Sequence, residues 1–318
     1  MFEDHSNQLR YGIQENVAPL MRADVEQALE LIHRNEEAPV ERALALLQNT
    51  VFSFSMKVCG HVQDAEDTAQ DVLLKSLPYL SKFDNPKALT VWLYKVARNR
   101  CMMNRRGRKY SQKLHVSLDD LMPDGQELKH LLDSAAANPE DQAAQTQSAG
   151  RLREAVMTLP PPYRFVLVLH DMEELDTSEV AKVMGLQEGT VRVRLHRARL
   201  LLRRELQKPH APPRSRTSGS KKPKNCRGLF AALSDYLDGV VDDAVCEQMH
   251  RHISDCAPCQ AFLANLKDVV AQCRRYTPEC PPERVQRMRM ELLQKYFQAQ
   301  QELERRAPRK RTAAPTHR

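Results

Sequence analysis

The chain has 318 residues, which at roughly 100–200 residues per domain allows two or three domains. Charged residues make up 28% and aromatic residues 5%, a balance that suits small helical units and disfavours one large β-rich core. The formal net charge of +7 is compatible with a nucleic-acid partner without requiring one, and no stretch approaches the ~18 apolar residues of a membrane-crossing helix.

The first residues, Met1-Phe2-Glu3-Asp4, carry no basic flank and no apolar core, which argues against a secretory signal and for a cytoplasmic protein. Thiols stay reduced there, so the eight cysteines read as metal ligands or redox groups before a disulfide framework. Cys59 and Cys101 sit among apolar neighbours in helical patterns and read as small buried apolar residues.

Residues 1–40 read as a polar, partly helical extension. A helix is expected from about Pro39 to Gly60, with Ala43, Leu46, Leu47, Val51, Phe54 and Val58 at three- and four-residue steps. A second runs from about Asp64 to Leu80 and turns Ala65, Ala69, Val72, Leu73 and Leu77 inward. Its other side carries Asp64, Asp67 and Asp71 as one acidic stripe, which repels DNA and suits a basic protein surface. Such a charge run is more often just a solvated face. A loop at Phe83-Asp84-Asn85-Pro86 precedes a third helix, from about Ala88 to Arg105. Leu89, Trp92, Leu93, Val96 and Ala97 form its apolar face, which places Trp92 in the core. The sign of the charge then inverts. Seven Lys or Arg and no acid lie from Arg98 to Lys113, among them Arg98, Arg105 and Arg106, a set able to contact phosphates.

Periodicity fades over 114–149, read as a linker, and returns from Leu152 to about Leu206. Asp176 with Glu179 forms a capping pair at a helix start. Val180, Ala181 and Met184 give that helix an apolar face, and Gly185 supplies a turn. A second helix opens near Glu188 with Val191, Leu195, Ala198 and Leu202 on one side. This is the pattern of a helix-turn-helix. The other side carries Arg192, Arg194, Arg197 and Arg199, with His196 between them, and no acid occurs from Gly189 to Arg204. Phosphates attract such a face, and guanine edges accept bidentate Arg bonds.

A basic, proline-containing linker covers 208–225. The third unit, 226–303, holds His252-x3-Cys256-x2-Cys259, whose thiolate and imidazole ligands suit tetrahedral zinc. Cys226 is the first choice for a fourth ligand, with Cys246 and His250 as competitors. A helix over 282–303 lies either on the preceding units or on its own domain, and 304–318 is a basic tail expected to be disordered. Every periodic segment is helical, so the fold class is all-α.

The runs Leu159-Pro160-Pro161-Pro162-Tyr163-Arg164 and Gly189-Thr190-Val191-Arg192-Val193-Arg194-Leu195-His196-Arg197-Ala198-Arg199 resemble the promoter-binding C-terminal domain of extracytoplasmic-function sigma factors. The resemblance implies that Glu188, Thr190, Arg192, Arg194, His196 and Arg197 meet the "minus thirty-five" element. Two positions depart from the family pattern: Gln187 stands where a capping Ser is common, and Val193 where a small polar residue is common. Asp64-Ala65-Glu66-Asp67-Thr68-Ala69-Gln70-Asp71-Val72 resembles the family's polymerase-binding helix, implying contacts by Asp64, Asp67, Gln70 and Asp71. Val91 to Asn99 resembles the segment beneath the "minus ten" element, and the loop from Phe83 to Lys87, with Asn85, matches the one that captures a flipped base. Cys226 to Cys259, with its Tyr236-Leu237-Asp238-Gly239 turn, resembles the zinc-binding anti-sigma domain, which in that family holds a sigma factor inactive.

The resemblance thus implies sigma region 2 over 41–113, region 4 over 150–207 and an anti-sigma-like unit over 226–303. Core RNA polymerase and promoter DNA are the partners expected, zinc is the cofactor, and no catalytic constellation is visible. A helix-turn-helix regulator that binds an operator without polymerase would explain 150–206 but leave 64–113 without a role.

Overall fold

The structure is a computed structural model and describes residues 20–33, 37–105, 121, 145–207, 227–278 and 282–306. Arg106, the linker 208–225, Cys226 and residues 307–318 of the tail lie outside the described residues, as does the side chain of Arg105. All described elements are helices, and none of the described residues forms a strand.

The first unit comprises α1 (Leu20–His33), α2 (Glu37–Cys59), α3 (Val62–Leu80) and α4 (Pro86–Arg105). Leu47, Leu73, Leu89 and Leu93 meet at its centre with no exposed surface, each worth about 1.5–3 kcal/mol of burial. Helix α1 falls in the stretch expected to be an extension, yet Val25 and Ala28 are fully buried in the common core. Pro86 at the first position of α4 loses no hydrogen bond there, and Asn85 caps the helix by accepting from the Lys87 amide at 2.8 Å.

The second unit holds α5 (Gln145–Thr158), α6 (Pro161–Leu167), α7 (Thr177–Met184) and α8 (Glu188–Gln207). A π-helical stretch, Val168–Met172, continues α6, and beyond it the Glu173 amide reaches back to the Val168 carbonyl at 2.9 Å. It contains Asp171 and leads into Glu173, both buried. The capping box expected at Asp176 is present: Glu179 N donates to Asp176 Oδ1 at 2.8 Å, and Asp176 N donates to Glu179 Oε2 at 2.9 Å. Gly185 closes α7 with φ of 66°, a conformation that only glycine adopts freely.

The third unit is α9 (Arg227–Leu237), α10 (Asp243–Asp255), α11 (Ala257–Arg275) and α12 (Pro282–Arg306). Phe230, Leu233, Met249, Phe262 and Leu266 are buried, and their cluster is continuous with that of the second unit.

The first two units also share a polar seam. Lys57 Nζ lies 2.9 Å from Glu173 Oε1, and Tyr94 Oη donates to Glu173 Oε2 at 2.6 Å. All three side chains are buried. Arg164, 2% exposed, donates to the carbonyl of Val58 across the seam at 3.0 Å and to those of Val156 and Leu159 in its own unit. Cys59 and Cys101 require a correction. They are buried as expected, but they are joined as a disulfide between α2 and α4, with Cα atoms 6.2 Å apart. Helix packing supplies that proximity, which spacing along the sequence does not reveal.

Candidate nucleic-acid interface and metal centre

Helix α8 buries Val191, Leu195, Ala198 and Leu202 as expected. Thr190 and Val193 are exposed, and Arg192, Arg194 and Arg197 are half-buried with their side chains reaching the surface. Arg192 pairs with Glu188 one turn earlier at 3.5 Å.

His196 and Arg199 do not join that face. His196 is 5% exposed, with Nδ1 2.8 Å from Ser234 Oγ and its ring edge-on to Phe230. Burial first, then Arg199 and Arg197, push its pKa down to about 4, so it is neutral. Arg199 is fully buried. It donates through Nε and Nη2 to Asp171 at 2.8 and 2.6 Å, and through Nη1 and Nη2 to Asp238 at 2.8 and 2.7 Å. Burial alone would lower the guanidinium's pKa and raise that of Asp171. The mutual attraction wins in both, so both are firmly charged. Arg203, also buried, donates to Asn265 Oδ1 at 2.8 Å and lies 4.2 Å from the centre of the Phe262 ring. The physical reason for the correction is that α9 and α11 cover this side of α8. A sequence signal does exist: Arg199 is four residues after Leu195 and three before Leu202, on the edge of the apolar stripe.

On α3, Asp67 is exposed and Asp64 half-buried, Asp71 pairs with Arg100 of α4 at 2.7 Å, and Gln70 meets α12. Lys295 Nζ donates to Gln70 Oε1 at 2.7 Å, and Arg284 lies 3.4 Å from Glu66. Helix α12 therefore lies on the first unit, the first of the two placements expected for it. On α4, Arg98 is half-buried. Burial, and then Arg194, lower its pKa, and α4 packs against α7 of the helix-turn-helix. Trp92 is half-buried rather than in the core, with its ring centre 5.6 Å from that of Phe83 and 6.0 Å from that of Tyr79. Asn85 is exposed, but its amide oxygen is occupied as the cap of α4.

His252, at the end of α10, and Cys256 and Cys259, at the start of α11, bring their ligand atoms within 4.8 Å of one another. His252 Nε2 is 3.3 Å from Cys259 Sγ. Two thiols and an imidazole on one point fit zinc, whose bonds to sulfur run to about 2.3 Å. Neither Cys246 nor His250 belongs to this group. His250 Nδ1 instead faces Tyr236 Oη at 3.4 Å.

Three family descriptions match the chain in succession. Sigma-70 region 2 matches residues 44–110, sigma-70 region 4 matches 149–202, and a zinc-finger family matches 226–260. The chain is similar to the ECF RNA polymerase sigma factor SigW of Bacillus subtilis, at 23% identity over 58% of this chain and 98% of that protein. It is also similar to the RNA polymerase sigma factor YlaC of the same organism, at 28% identity over 50% and 86% respectively. The ECF RNA polymerase sigma factor SigM of Mycobacterium tuberculosis matches at 30% identity over 45% and 65%. Among the described residues, no helix is long and apolar enough to cross a membrane. The basic helix-turn-helix and the acidic helix thus fall inside two matched sigma-70 regions, region 2 before region 4, a zinc-finger match follows them, and the relatives named are RNA polymerase sigma factors, two of them of the ECF type.

Proposed function

We propose that the chain binds core RNA polymerase, directs it to specific promoters in the cytoplasm, and is held closed in cis by its C-terminal unit, without catalysing a reaction itself. The acidic stripe of α3 offers Asp64 and Asp67 to a basic polymerase surface, and Gln70 and Asp71 join them once their contacts with Lys295 and Arg100 are given up. Arg98, with Arg105 and Arg106 after it in the sequence, faces the downstream promoter element, and the loop at Asn85, at the other end of α4, takes the flipped base. Glu188, Thr190, Arg192, Arg194 and Arg197 face the upstream one. His252, Cys256 and Cys259 hold zinc with a fourth ligand, for which Cys226 is the candidate. The metal would tie α10 to α11 and supply folding free energy that so small a domain lacks.

The observation that carries the closed reading is Arg199. A residue of the helix meant for DNA is shared between Asp171 of its own region and Asp238 of the C-terminal unit. Distance supports it too. Elements named for positions ten and thirty-five are about 25 base pairs apart, roughly 85 Å of duplex at ~3.4 Å per pair. Here α7 of the helix-turn-helix packs directly on α4, so this arrangement suits a stored factor.

Run-off transcription with core polymerase tests the reading. Specific transcripts should disappear with Asp67→Arg or Arg194→Ala and increase with Asp238→Ala. A chain that binds promoter fragments but never associates with polymerase would instead be an operator-binding regulator.

A further inference from the structure

The outward edge of α8 is narrower than its sequence implies. With His196 and Arg199 under α9, one outward stripe of the helix carries Thr190, Val193, Arg194 and Arg197, while Glu188 and Arg192 beside it pair with each other. Their spacing of three, one and three residues places them on one stripe. Val193 is in the middle and is 53% exposed. One turn before it is Gly189, which has no side chain to shield it. Isolated exposed apolar side chains are ordinary on protein surfaces. Here the setting is special: a branched apolar group at the centre of a stripe whose charged members are all cations.

We infer that Val193 reads the C5-methyl group of a thymine in the major groove of the upstream promoter element. This rests on the promoter-binding role of α8 proposed above. The cationic neighbours make duplex DNA the occupant, since Arg194 and Arg197 can seat the helix on phosphates and guanine edges. In the major groove only thymine presents a methyl group. An isopropyl group offers no donor or acceptor. Against adenine, guanine or cytosine it would strip water from a polar edge and return nothing, whereas against thymine it buries apolar surface on both sides. Selectivity therefore has an attractive and a repulsive part.

The test begins by selecting promoters from a library randomised upstream, using the full-length chain with core polymerase. Each thymine of the selected element is then replaced by deoxyuridine, which removes only the methyl group. One position should lose about fourfold in transcript yield, the worth of one buried methyl-sized group. With Val193→Ser that position should tolerate deoxyuridine without further loss, and the thymine preference there should relax. Val193→Thr, which keeps one methyl group, should retain part of the discrimination. A deoxyuridine penalty of equal size in Val193→Ser, or no methyl-sensitive position at all, would overturn the assignment while leaving promoter recognition intact. Failure to enrich any promoter would overturn promoter recognition, and this assignment with it.

Discussion

Replacing Asp238 by alanine isolates the contact between the recognition helix and the C-terminal unit. Asp238 accepts two charge-assisted hydrogen bonds from Arg199, at 2.8 and 2.7 Å, in a site where the arginine is wholly buried. Orphaning a buried ion costs about 3–5 kcal/mol. The variant does not reach that figure, because Arg199 keeps both bonds to Asp171. Hydrogen bonds to charged groups contribute a net ~1.5–3 kcal/mol, and Asp238 regains water when the unit opens, so a loss of about 2 kcal/mol is expected. That shifts the closed–open equilibrium roughly 30-fold. Run-off transcription at limiting factor should rise by up to this amount, with zinc content and thermal unfolding of regions 2 and 4 unchanged. Asp171→Asn is the contrast. It weakens region 4 itself and should lower transcription. Unchanged transcription in Asp238→Ala, with the chain folded and metal-loaded, would refute the idea that this contact restrains the recognition helix.

Closure should also depend on pH. The closed state holds His196 near 4, below its ordinary 6.5, so it favours the neutral ring. Its contribution is complete above about pH 6.5 and is lost as pH falls towards 4. At pH 5.5 closure should be about tenfold weaker, measurable by hydrogen exchange of α8, and His196→Gln should flatten the profile. Glu173→Gln leaves Lys57 buried without its carboxylate partner. A cost of about 3–5 kcal/mol to the region 2–region 4 seam is expected, read as an increased radius of gyration in solution scattering. Zinc chelation, or Cys256→Ser, should reduce helicity and expose α8 to exchange, whereas Cys246→Ser should leave metal content unchanged.

The fold class, the capping box at Asp176, the Gly185 turn and the convergence of His252 with Cys256 and Cys259 are all legible in the sequence. Each depends on contacts within a few residues. What is not legible is made by long-range pairing. Arg199 meets Asp171 28 residues away and Asp238 39 residues away, and nothing local marks either partner. Cys59 and Cys101 come together only because α2 and α4 pack on each other across 42 residues. Helix α1 is hard to see because its apolar stretch, with Val25, Ala28 and Leu29, is short. The fourth metal ligand expected at Cys226 lies outside the described residues.

The seams that close this chain join continuous apolar packing to buried ion pairs, Lys57 with Glu173 and Arg199 with Asp238. Such pairs cost so much desolvation that their net contribution is small, while their geometric demands are strict. These pairs make the closure specific while adding little to its strength. Covalent connection compensates, because linked partners meet at an effective concentration in the ~mM range when the linker can span the gap. A freely diffusing copy of the C-terminal unit would have no such advantage. Promoter DNA and polymerase would present many charges at once and compete with the Asp238–Arg199 contact, worth about 2 kcal/mol. Supplying residues 226–318 as a separate chain should therefore restrain transcription only at concentrations far above those of the factor. Equal potency in trans would mean that the contact is strong enough without the linker, and that effective concentration does not explain the fusion.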